Sequence, residues 1–420
     1  VTDTRPAAPG PRLSTPATAC LLVGLLLVVG VAAGVGVLWW SGGWDLEGPA
    51  AVGARANAVW TGLAAAAGAA VLVGLLLYWR GLRATAAHRA LELAQRRERE
   101  VEERARRQWA AARIAADAVE RRIAEAVGQL GADRDPVRMG GLHALERIAS
   151  ATPECRQAVV DVLCACLRAP FEPAEFAVRA AVQRVLTHHL RPGDDPAEPA
   201  AEFWADLDLD LTGAHLIDLD LTGCRVRAVT FDQAVFEGRA VFRRTRIGGR
   251  ARFRGARFLD GVSARGARFG AAADFRDAEF DAPADSADGG FRAAEFHGDT
   301  TFARAVFNAP AQFREVRFHS DVSWGRAAFP EGAAFAGADF HGSAWFGNAV
   351  LGGAADFTGV RFRRHARFPD AVFETAADFT GARFESFTDF EQVVFRARPL
   401  VADTHFANDV PAEVVVFRAS

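Results

Sequence analysis

Through the C-terminal half of this 420-residue chain, large apolar residues recur at a fixed interval. Stepping by eleven from Phe236 lands on Ile247, Phe258, Phe269, Phe280, Phe291 and Phe302, and continues to Trp324, Phe379, Phe390 and Val401 without meeting a polar residue. A second track runs Phe231, Phe242, Phe253, Ala264 and Phe275, fails at Ser286, and resumes one residue out of phase with Phe296, Phe307, Phe318 and onward to Phe406 and Phe417. Together the tracks place an apolar residue every five or six positions, an interval that fits neither the 3.6-residue period of a helix face nor the two-residue period of a strand.

A helix with an eleven-residue repeat would set the two tracks about 140° apart, so they would not share a seam. Pro310, Pro330, Pro369 and many Gly also fall in the stretch, and each is costly inside a helix. Extended geometry does better. Two residues before most of these Phe stands a small one, as at Ala234, Ala240, Ala251, Ala256, Ala305, Ala311, Ala338, Ala366, Ala377 and Ala382. Positions two apart face the same side of a strand. Each unit therefore turns one small and one large apolar group inward and then rounds a corner, which makes a β-solenoid with coils stacked about 4.8 Å apart. Burying each ring contributes roughly 1.5–3 kcal/mol before conformational entropy is subtracted. Before Phe231 the step is a uniform five, through Leu211, Leu216, Leu221 and Val226. Four steps of five make a coil of twenty, and alternating fives and sixes make a coil of twenty-two; both fit. The segment 281–290, DAPADSADGG, is expected to hold a bulge or loop.

The strings DLDLTGAHLIDLDLTGCRV, ADFTGARF, AVFEGRAVF and AAFAGADFHG resemble the pentapeptide-repeat proteins, whose unit is A-(D/N)-L/F-x-x. The resemblance covers about 205–400. It implies a right-handed quadrilateral β-helix with one unit per side, although a sixth residue in alternate units departs from the short family unit. RDPVRMGGLHALERIAS and VVDVLCACLR are similar to the helical segment ahead of the repeats in membrane-anchored members.

The N-terminal part reads differently. Residues 17–40 carry no charge and are long enough to cross a bilayer core; a second apolar run covers 56–79. Trp39, Trp40, Trp44, Trp60, Trp79 and Tyr78 match interfacial aromatic belts. Gly30 with Gly34, and Ala66, Ala70 and Gly74, have the spacing that lets helices approach closely. The link 41–55 holds Asp45, Glu47 and Arg55, whereas Arg80, Arg83, Arg89, Arg96, Arg97 and Arg99 follow the second span. The positive-inside rule then puts the link outside, and the N-terminus and the C-terminal repeat domain in the cytoplasm, in a multi-pass protein of the cell membrane.

The expected layout is a two-helix transmembrane hairpin, an α-helical juxtamembrane region and then the solenoid. By position this gives a short tail (1–16), the hairpin (17–79), a charged juxtamembrane helix (80–130) and a small helical module (133–191). A linker (192–204), the repeats (205–400) and a C-terminal cap or tail (401–420) follow. Trp109, Ala112, Ala116, Val119, Ile123, Ala126 and Leu130 form a stripe that suits either a coiled-coil seam, hence a homo-oligomer, or packing within the chain. In the module, Asp135–Pro136, Pro153 and Pro173 mark three helix starts.

Chemistry is sparse. The chain holds five Cys scattered along its length, which argues against a disulfide framework. Cys164 and Cys166 point to different faces of a helix and read as small apolar residues, and His188 and His189, which also diverge, read as surface or satisfied core histidines. No catalytic, cofactor-binding or metal-ligating set is expected, and no cofactor. Basic residues are all Arg, and net charge is −3; the repeats are nearly balanced, although 239–257 hold eight Arg and no acid while 274–299 are mainly acidic. The expected function is a non-enzymatic, membrane-anchored scaffold that meets lipid through 17–79 and a protein partner through the solenoid surface, with nucleic acid not expected as a partner. Two other classes remain open. The resemblance implies a DNA-mimicking regulator of a topoisomerase (gyrase), as for some relatives; the hairpin allows a small channel-like membrane assembly.

Overall fold

The computed structural model describes residues 15–40, 48–172, 175–193, 198–281, 290–408 and 411. The tail up to position 14, Trp44, Asp45 and Glu47 of the link, Pro173, the linker core 194–197, most of 281–290 and the end of the chain with Phe417 lie outside the described residues, as do the side chains of Arg80, Arg83 and Arg89. The chain divides into two compact units, 1–114 and 115–420.

In the first unit, α1 spans Thr15–Trp40 and α2 begins at Pro49 and runs unbroken to Leu130. Two stretches, Cys20–Trp40 and Ala51–Trp79, are long and apolar enough to cross a membrane. Glycine sets their approach. A Cβ on Gly62 would stand 2.8 Å from the Gly30 carbonyl oxygen, and one on Gly34 would stand 3.2 Å from that of Ala58. Nothing lies within 4 Å of a Cβ built on Gly74, so the close contact pairs Gly30 and Gly34 with Ala58, Gly62 and Ala66, not with the Ala70–Gly74 end. Further along α2, Glu100–Arg104 and Glu103–Arg107 pair at 3.4 and 3.2 Å with the favourable i,i+4 order.

In the second unit, α2 ends in a core that buries Ala126 and Leu130, whereas Trp109, upstream on the same stripe, is exposed. Helices α3 (Asp135–Ala151), α4 (Arg156–Arg168) and α5 (Phe176–His189) follow. Buried Arg179 donates to the carbonyl oxygens of Leu167 and Ala169 at 2.5 and 3.1 Å, satisfying acceptors that the end of α4 leaves open. These helices close the first coil of the solenoid. Gln157 exchanges two hydrogen bonds with the backbone of Asp208, Gln183 donates to the Ile217 carbonyl at 2.8 Å, and the Arg225 amide donates to the Leu190 carbonyl at 2.8 Å. An otherwise open strand edge is thereby covered.

From Asp208 to Phe406 the chain winds as a four-sided β-solenoid of about nine turns, with every pairing parallel. Faces I, II and IV are continuous nine-stranded sheets beginning at Asp208–Asp210, His215–Ile217 and Arg225–Val226. Face III consists of a two-stranded and a four-stranded piece. Coil length is read from the register. Asp208 pairs with Ala228 and His215 with Val235, a spacing of twenty, where the sequence steps by five. Val229 pairs with Ala251 and Val235 with Arg257, a spacing of twenty-two that then holds through the later coils. Both lengths occur.

One coil differs. Arg268 pairs with Glu295, Ala273 with Thr300 and Glu279 with Val306, so the spacing here is twenty-seven on three faces. Five residues are therefore inserted between Phe280 on face II and Gly290, which bridges to Ser263 on face III. The additional residues fall in 281–290, where the second track shifts phase and a bulge or loop is expected. A six-residue corner lengthened by five makes an eleven-residue step, so the Phe236 track stays in phase while changing faces. Before the insertion it occupies faces II and IV; after it, Phe291, Phe302, Phe313 and Trp324 occupy faces III and I.

The five-six alternation has a backbone cause. Five-residue corners hold a tight turn: the Ala256 amide donates to the Phe253 carbonyl at 3.1 Å and the Ala338 amide to that of Phe335 at 2.9 Å. The residue two past each Phe is left-handed, as at Gly255 (φ 62) and Gly337 (φ 66), which is type II geometry. Six-residue corners are the wider ones. Inside, rings stack coil on coil: Phe269–Phe296 at 4.5 Å, Phe346–Phe368 at 4.7 Å and Phe384–Phe406 at 4.7 Å, all within 6° of parallel. Columns meet edge to face, as at Phe346–Phe357 (81°), the arrangement that ring quadrupoles favour. All ten of the small residues expected to face inward are buried.

Candidate interaction surface

With the interior occupied by its own side chains, the outward positions are the ones open to another molecule. Their charges are interleaved in space although segregated in sequence. Arg252 pairs with Asp232, Arg254 with Asp274 at 3.2 Å, Arg257 with Glu279 at 3.1 Å and Arg268 with Glu295 at 3.0 Å. Each partner lies one coil away, so the basic 239–257 stretch and the acidic 274–299 stretch are largely successive layers. Burial alone would raise the Asp274 carboxyl; hydrogen bonds from Arg276 and Arg254 outweigh it and hold the group below the ordinary carboxylate range. Hydrogen bonding from Arg363 lowers Asp339 against a smaller effect of burial.

Face I carries an outward aromatic patch that the Phe tracks do not reveal. Trp345 sits in register between Ser323 and Arg367. Its indole lies against the backbone at Gly325 and Gly347, where a Cβ would meet it at 3.2 and 2.5 Å. The Arg367 guanidinium covers the ring at 5.0 Å. One and two coils on, His365 and Phe387 approach to 6.0 Å, and Phe387 is 51% exposed. The signal available in the sequence was a Trp directly before an inward Phe, in a slot that elsewhere is polar.

On face IV, His297, His319 and His341 stack at 4.5 and 5.0 Å. Burial, then the neighbouring His297 and His341, hold His319 below the usual imidazole value. The recurrence of His at one-coil spacing was the signal that sequence reading passed over.

The residues singled out in sequence are placed as follows. Cys164 is buried and Cys166 half-buried; burial pushes the Cys164 thiol up to about 12, and does the same for Cys224. A thiol so protonated is a poor nucleophile. His188 is exposed while His189 is buried, stacked on Trp204 at 3.9 Å and hydrogen-bonded to Glu146 at 3.0 Å and to the Glu202 carbonyl at 2.7 Å. The two histidines thus do diverge, and His189 joins α3, α5 and the entry to the solenoid. No group of three or more His, Cys, Asp or Glu able to hold a metal ion occurs among the described residues.

Four faces of short parallel strands with an inward apolar residue, most often Phe, at each corner define a β-solenoid repeat protein. A family model described as pentapeptide repeats matches residues 211–257, 242–285, 302–350, 335–381 and 346–394, all within this column. The solenoid is built of pentapeptide repeats. No curated protein and no solved structure matches it.

Proposed function

We propose that this pentapeptide-repeat protein is a non-enzymatic scaffold, held at the cell membrane by the hairpin of α1 and the start of α2, with its N-terminus and repeat domain in the cytoplasm. The observation that carries the reading is the face I patch of Trp345, Arg367, His365 and Phe387. Aromatic residues and Arg are the types enriched where proteins bind one another, and they stand here on a rigid ladder that fixes their spacing. The Arg distribution around the second span supports the orientation. Pairing of acidic groups with Arg one coil away favours a protein-binding surface over imitation of a polyanion, which needs an uninterrupted negative face.

The test is crosslinking in native membranes followed by capture of the full chain, comparing wild type with Trp345→Ala/Phe387→Ala. A partner recovered with wild type and lost with the double variant, at equal protein level and membrane content, supports the reading. Recovery of the same partners by both sinks the assignment to face I.

A further inference from the structure

A second outward site differs in chemistry from the aromatic patch. Arg191, Asp220, Thr222, Gly223, Arg244 and Arg246 line a cavity of about 460 Å³ where the chain leaving α5 passes the first two coils. Arg191 is engaged: it donates to the Thr222 carbonyl at 3.0 Å and to the Asp220 carboxylate at 3.2 Å. Asp220 also accepts from the Thr222 amide at 2.8 Å, so its charge is directed at groups already in the site. Arg244 and Arg246 have no ion-pair or hydrogen-bond partner for their guanidinium groups among the described residues. Three guanidinium charges against one carboxylate leave the cavity formally at +2.

The ladder beside the cavity compounds this excess. Arg225 pairs in register with Arg246, and Arg246 with Arg268, so three like charges stand on adjacent strands. Like charges directly opposite one another are destabilising. Further along the same column, the outward Arg317 and Arg361 each have a carboxylate, Glu295 and Glu385, as Arg268 does. Of the outward Arg on this column, Arg225, Arg246 and Arg383 lack a carboxylate among the described residues, and Arg246 is the one that lines this cavity, together with Arg244.

From this we infer that the cavity binds a phosphate monoester through Arg244 and Arg246, with Arg191 and the Thr222 region closing one side. A dianionic phosphate matches the +2 balance, and forked guanidinium donors suit its oxygens. A soluble phosphorylated metabolite and a phosphorylated lipid headgroup share this chemistry.

The experiment uses the full chain in nanodiscs of neutral phosphatidylcholine, titrated calorimetrically with glycerol 3-phosphate at constant ionic strength. A parallel arm replaces part of the lipid with phosphatidic acid and measures thermal stability without added phosphate. Arg244→Gln/Arg246→Gln should weaken glycerol 3-phosphate binding at least about tenfold, while Arg361→Gln, whose residue pairs with Glu385, leaves it unchanged. Without ligand, the double variant should melt no lower than wild type, because like-charge repulsion is relieved; this confirms that it folds. Binding of the soluble ester identifies a free ligand. Stabilisation seen with phosphatidic acid alone, and lost in the double variant, identifies a headgroup. If neither probe separates wild type from the double variant, the inference is overturned.

Discussion

Phe280 stacks on Phe307 across the lengthened coil, with ring centroids 4.5 Å apart and planes 3° from parallel. Phe258 stacks on Phe280 across an ordinary coil at 4.8 Å and 2°. The ring stack is thus the same with and without the five additional residues. Deleting Ala284–Asp288 should therefore leave stability within about 0.6 kcal/mol, the scale of loop-closure entropy, as measured by urea unfolding of the full chain. A loss of several times that amount would show that the insertion packs on the column.

Phe368 is fully buried between Phe346 and Phe390, at 4.7 and 4.8 Å. Truncation to Ala removes a ring from a stack that cannot collapse along its axis, since backbone pairing fixes the coil spacing. The expected cost is about 3–5 kcal/mol. Phe379→Asp places a carboxylate in the neighbouring column and should abolish protease resistance of the repeats; full resistance in that variant contradicts the ladder.

Trp324 holds the place on face I that Phe fills in most coils. Its indole Nε1 is buried and has no hydrogen-bond partner among the described residues, and its stack on Phe302 is opened to 5.7 Å. A large-to-small change in a core ordinarily destabilises. Here Trp324→Phe removes an unsatisfied donor whose burial costs about 1–3 kcal/mol, and restores the ring of the adjoining coils. The melting temperature of this variant should equal or exceed that of wild type.

Acid should act in two windows of different origin. His319 has a lowered imidazole value in the fold, so the unfolded chain takes up the proton first. Stability falls as pH drops below about 6.5, the unfolded value, until the folded form is protonated too. Asp274 is also lowered, but for a carboxylate this stability is present above about 3.9 and is lost as pH falls through the folded value. His319→Gln should flatten the upper window and Asp274→Asn the lower, in denaturant midpoints measured across pH.

The inward half of the solenoid was legible because burial enforces it at every corner: Ala377 and Phe379 are read from sequence as they stand in the fold. The outward half was not. Which residues face each other outside depends on coil length, and twenty against twenty-two decides whether Arg257 meets Glu279. The second track's phase shift marked the place of the insertion, but its length was hidden because five residues added to a six-residue corner reproduce the eleven-residue beat between Phe280 and Phe291. The cap was hidden for another reason: Gln157 and Asp208 are joined by hydrogen bonds across 51 positions, and no local pattern records such a pairing. Trp345 escaped notice because the signal beside it, Phe346, accounts for the repeat without it.

Excising one coil tests the central claim most directly. Removal of Trp324–Trp345, one full turn of the register, joins Ser323 to Phe346, which follows Trp345, its register partner. The shortened chain should keep protease-resistant repeats and unfold cooperatively. Removal of Trp324–Ser343, which stops two positions short of a turn, joins Ser323 to Ala344, shifts every later Phe by two positions and should leave the repeats protease-sensitive. Equal stability of the two variants, or survival of the Trp324–Ser343 deletion alone, would contradict the twenty-two-position coil.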